Sequence, residues 1–100
     1  MSQGAYYFDY EAVAASQTDQ VLGTTGGAGD MLHRLVITVG TAATGTVAIK
    51  DGSGAAIPIT AANTPIGVYS VEINTRSRGG AWSVTTGAGA TAVAIGDFDT

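Results

Sequence analysis

From residue 18 onward, apolar and polar positions alternate in short runs broken by turn residues. The strongest run is 31–39, where Leu35, Ile37 and Val39 share one side and Arg34, Val36 and Thr38 the other. A period of two belongs to a half-buried β-strand. Similar runs at 19–22, 46–50, 56–60, 68–74, 81–86 and 91–98 predict six or seven strands and almost no helix. Asp51-Gly52 reads as a hairpin turn, and Pro58 suits a strand at a sheet edge. Short strands punctuated by turns predict an all-β fold, a single antiparallel β-sandwich of jelly-roll-like type. Its expected inward positions are Leu35, Ile37, Val39, Val47, Ile49, Tyr69, Val71, Ile73, Trp82, Val84, Val93 and Ile95.

The N-terminal stretch departs from this pattern. Four of the chain's aromatic residues, Tyr6, Tyr7, Phe8 and Tyr10, crowd into five positions. Residues 1–16 are expected to form an aromatic arm and residues 17–100 the sandwich. The arm could pack on its own domain, but the strands already supply two alternating faces, so Tyr6–Tyr10 is expected to dock on a neighbour through large rigid side chains and not to join the core.

Composition narrows the functions open to such a domain. The chain of 100 residues is long enough for one domain, and much of its 45% apolar content is alanine. A core of small residues buries little area, so self-association, most simply as a trimer, is expected. Only 12% of residues are charged, and the four basic ones, Arg34, Lys50, Arg76 and Arg78, form no stripe. Nucleic-acid binding is therefore not expected. No apolar run approaches the roughly 20 residues of a membrane helix, and no basic stretch leads into an apolar one at the N-terminus. Neither membrane insertion nor a leader is expected.

Little in the sequence points to catalysis. Cysteine is absent, and the single histidine, His33, has no serine–carboxylate or metal-spaced partners. No enzyme activity, cofactor or metal is expected. Val47-Ala48-Ile49-Lys50 repeats a protein-kinase strand motif by chance, in a chain far too short for that fold. The run Val47-Ala48-Ile49-Lys50-Asp51 also echoes Val93-Ala94-Ile95-Gly96-Asp97, but a match over five positions in so biased a composition does not make a repeat. Asp9 with Glu11, and Asp97 with Asp99, could together hold a cation only if the chain ends meet. Solvated surface charge is the simpler account. Arg76 and Arg78 flank a loop that could grip a partner's carboxylate, so partner-binding candidates are Tyr6, Tyr7, Phe8, Tyr10, Arg76 and Arg78.

Three segments carry a resemblance to a known group. They are Gly29-Asp30-Met31-Leu32-His33-Arg34-Leu35, the run from Ala43 through Gly45-Thr46-Val47 to Asp51-Gly52, and Arg76 through Trp82 to Gly89 followed by Ala92-Val93-Ala94-Ile95-Gly96. Together they resemble short proteins of tailed bacteriophages found with virion structural components. The resemblance implies a virion part located on the capsid surface and assembled in the host cytoplasm. Its most common role would be a decoration or cement protein bound to the major capsid protein or another virion protein. A tail or fibre module is the alternative within that group. A carbohydrate-binding module, with Trp82 and Tyr69 as a stacking platform, is a third reading, and it requires those rings to face solvent.

Overall fold

The computed structural model describes residues 8–24 and 26–98. Eight strands follow one another: β1 (Asp9–Val13), β2 (Gln20–Val21), β3 (Met31–Val39), β4 (Val47–Asp51), β5 (Ile57–Thr60), β6 (Gly67–Arg76), β7 (Trp82–Thr85) and β8 (Ala90–Asp97). They form two four-stranded sheets, ordered β1-β8-β3-β6 and β2-β7-β4-β5.

That order has a simple origin. β1 pairs with β8, β2 with β7, β3 with β6 and β4 with β5, all antiparallel. The chain thus runs out along four strands and back along four, as one long ribbon folded at the β4–β5 turn. Rolling the ribbon brings β8 against β3 and β7 against β4. Two sheets with this winding make a jelly roll.

Alternation chooses what lies between the sheets. Leu35, Ile37 and Val39 of β3, Val47 and Ile49 of β4, and Trp82 and Val84 of β7 are all buried, joined by Val13, Leu22, Leu32 and Phe98. Tyr69 and Ile73 of β6 pack against this cluster while remaining partly exposed. A bulge between Leu32 and Arg34 lets both Leu32 and Leu35 point inward despite their odd spacing.

Two expectations need correction. Val93 and Ile95 do not face the core: β8 turns Ala90, Ala92 and Ala94 inward and leaves those larger residues on the outer face. The reason lies next door, because Ala94 and Ala92 sit opposite Leu35 and Ile37, whose side chains already fill the layer. Gly96 fixes the same parity, since a Cβ there would run into the Met31 carbonyl and the Phe98 ring. The echo between β4 and β8 is therefore out of phase, with Val47 and Ile49 inside and their counterparts outside. Second, the 1–16 segment is not wholly an arm. Asp9–Val13 is the edge strand β1 of the first sheet, and Val13 is 1% exposed.

Both ends of the roll are tied by hydrogen bonds between loops. At one end Ser16 N donates to Gly87 O, Gly45 N to Ala88 O and Asn63 N to Thr44 O. Thr86 Oγ1 there accepts from Gln17 N and donates to the Ala14 carbonyl. At the other end Gly29 N donates to Ser77 O, and Trp82 Nε1 donates to the Asp30 carbonyl at 3.1 Å. Asp51 closes this end: its carboxylate accepts from Arg78 N and Gly79 N, both at 2.9 Å. Gly52, at φ 59°, approaches the Gly79 backbone so closely that a side chain would collide with it.

Candidate binding surface

Loops usually carry binding sites because a scaffold leaves them free to vary. Here the loop hydrogen bonds are spent within the molecule, which turns attention to the sheet faces and edges. Among the described residues no three histidine, cysteine or acidic side chains gather where they could hold a metal ion. The first and last strands do meet, as β1 lies against β8 with Asp9 opposite Gly96. The Glu11 carboxylate is occupied, however, accepting from Gln20 Nε2 at 2.7 Å and Gly23 N at 2.8 Å. Asp99 lies outside the described residues.

The two outer faces differ in chemistry. On the first sheet, register aligns Tyr10, Ile95, Arg34 and Glu72 in one row across the strands. Ala12, Val93, Val36 and Ser70 form the next row, and Thr91, Thr38 and Val68 the third. Pleating places all of them on the face away from the core. Tyr10 is 77% exposed and Val68 67%, with Val36, Val93 and Ile95 half-buried between them. An outer face on an antiparallel sheet is ordinarily polar. This one has an aliphatic centre with one ionic contact at its margin, where Arg34 donates to Ser70 Oγ at 2.6 Å and lies 3.9 Å from Glu72.

The second sheet shows a polar outer surface. Lys50 of β4 pairs with Asp19 at 3.2 Å, and Thr85 Oγ1 donates to the same carboxylate. Hydrogen bonds from Lys50 and Thr85 hold the Asp19 carboxyl below its ordinary range. Val21, Ser53 and Ser83 line a shallow depression beside this pair.

The predicted partner-binding residues separate in space. Tyr10 belongs to the apolar face. Phe8, one residue before β1, stacks on its own His33 with ring centroids 4.6 Å apart and planes 14° from parallel. Tyr6 and Tyr7 lie outside the described residues. Arg76 does not form a clamp with Arg78: its guanidinium donates to the Gly29 carbonyl at 3.0 Å, while Arg78 sits on the loop held by Asp51. His33 occupies the bulge of β3, and its buried Nδ1 has no hydrogen-bond partner among the described residues, nor has Asp97 Oδ1. Trp82 is 3% exposed, so it offers no stacking platform for a sugar.

Sequence reasoning missed the apolar face because it assigned Val93 and Ile95 to the core. One signal could have found it: Val36 and Val93 are aliphatic on strands whose opposite faces were already apolar. No protein-family model, curated protein or solved structure matches this chain.

Proposed function

We propose that this chain is a structural virion protein, a capsid decoration protein that binds the shell of a tailed-phage head through the outer face of its first sheet. The observation that carries the reading is the apolar band across that face, running from Tyr10 at one edge through Ile95, Val93 and Val36 to Val68 at the other. Monomeric proteins rarely leave contiguous apolar surface in water, and such patches mark interaction sites. The closed loop ends favour a flat contact over a cleft for a small molecule. The sequence resemblance supplies the virion context, and the fold alone would not, since one fold hosts many functions.

Binding to purified particles tests it. Wild-type protein should saturate a fixed number of sites on particles lacking it, seen as added density on the head by cryo-electron microscopy. Val93→Glu places a charge at the centre of the face, and loss of such a central contact costs about 2 kcal/mol or more, roughly thirtyfold in affinity. The variant should keep its circular-dichroism spectrum and lose attachment. Undiminished binding by V93E would remove the face from the reading, and density on the tail would move the protein to a tail or fibre module.

A further inference from the structure

A jelly roll is not a closed barrel, so each sheet ends in strands with one unpaired backbone side. Proteins blunt such edges with short strands, proline or charge. Three of the four edges here are blunted. β2 is only two residues long. β5 carries Pro58. β1 carries Asp9 and Glu11 among its five residues. β6 is different: it is the longest strand, with ten residues, and it ends the first sheet. Between Gly67 and Glu72 its register against β3 is unbroken, and that stretch holds no proline and one charge.

The side chains around this edge are also unfinished. Val68 is exposed on the outer face, and Ile66, two residues before it, is 64% exposed. On the inner face Tyr69, Val71 and Ile73 are only half-buried, where β3 and β8 bury their inward residues. The sandwich is thus thinly covered along one side, and that side presents a flat, nearly uncharged strand.

We propose that β6 pairs antiparallel with β6 of a second copy, joining the two first sheets into one continuous sheet of eight strands about a two-fold axis. An antiparallel ladder is self-complementary, and this strand supports a specific register. With Val71 on the axis, Tyr69 comes opposite Ile73 of the partner copy, and Ser70 comes opposite its Glu72. The first pairs an aromatic with a β-branched side chain and the second a hydroxyl with a carboxylate, both favourable across strands. No like charges meet. The positive φ of Asn74, 49°, and the bulge beside it end the regular run, which confines the ladder about Val71 to 69–73. A two-fold contact of this kind builds dimers, in place of the trimers that composition alone suggests.

The test uses the isolated full chain and is independent of any particle. Sedimentation at micromolar concentration should show a species of twice 9.9 kDa that dissociates on dilution. Amides within 69–73 should exchange more slowly in the dimer than in the dilute monomer. Ser70→Glu sets a carboxylate opposite Glu72 of the partner twice per dimer and should weaken association about tenfold, while the dilute monomer keeps its fold because the new carboxylate still accepts from Arg34. Ser70→Gln keeps an acceptor for Arg34 without adding charge and should preserve association. A trimer, a monomer at all concentrations, or equal effects of S70E and S70Q would overturn the proposal.

Discussion

The two sheets of this molecule are made by one ribbon, yet they differ in almost every property that matters for binding. The first has strands of 5, 8, 9 and 10 residues, an aliphatic band on its outer face and, among the described residues, an unpaired edge at β6. The second has strands of 2, 4, 5 and 4 residues, an outer surface where Lys50, Asp19 and Thr85 lie beside an exposed Val21, and edges that are short or carry proline. Their inner faces are alike, since both supply the same shared core. The difference therefore lives on the outside, and in the proposed reading it separates a binding surface from a supporting one. The second sheet closes the core and anchors the loops, and the first would meet the partner.

The sharpest contrast lies within β3, where adjacent residues should behave oppositely. Leu35 is fully buried, and Leu35→Ala should cost about 3 kcal/mol through lost transfer energy and a residual cavity. For a domain this small, that threatens folding altogether. Val36→Thr, one residue on and on the outer face, should change stability by less than about 0.5 kcal/mol while weakening attachment. Chemical denaturation of both variants measures the pair. Equal losses would mean that the outer face is structural and that the two faces of the first sheet were wrongly separated.

How much of this was legible in the sequence depends on whether a residue's fate was decided locally. The alternation of Leu35, Ile37 and Val39, and of Trp82 and Val84, needed only the chain itself, and so did the turn at Asp51-Gly52. The edge strand β1 was obscured because two of its three inward positions, Asp9 and Glu11, are acidic and break the apolar rhythm. Glu11 faces inward at no great cost only because Gln20 and Gly23 supply donors from a separate strand and loop. Segment 90–97 is apolar on both faces, so alternation gave a period without a phase. Its phase is set by Gly96 against Met31 and Phe98, a contact between β8 and β3 that no local pattern encodes. The apolar surface was hidden by that same ambiguity.

A middle-sized effect belongs to the supporting side. Asp51 ends β4 and reaches the β6–β7 loop, where its carboxylate receives two backbone donors from Arg78 and Gly79. Asp51→Ala leaves both donors without that partner and frees the loop that β7 follows. The contact is partly solvated, so the expected loss is about 1–2 kcal/mol, below that of a core cavity. Hydrogen exchange should rise at Arg78 and Gly79 while the amides of β3 and β8 stay protected. Loss of protection in both sheets at once would show that the second sheet does more than hold its own loops.

The smallest effect is electrostatic and distinguishes the outer surfaces by pH. Asp19 on the second sheet has its carboxyl held below the ordinary range, first by the hydrogen bond from Lys50 and then by that from Thr85. A carboxylate with a lowered folded value stabilises the fold above its unfolded value and loses that contribution as pH falls through the folded one. Wild type should therefore exceed Asp19→Asn slightly at neutral pH, and the gap should close on acidification through the carboxylate range. The group is fully solvent-exposed, so salt should narrow the gap as well. Val36→Thr, which alters no titrating group on the first sheet, should differ from wild type by the same amount at every pH in that range. A gap between wild type and D19N that widens toward acid would reverse the sign of the argument and show that the pair with Lys50 is not what holds Asp19 charged.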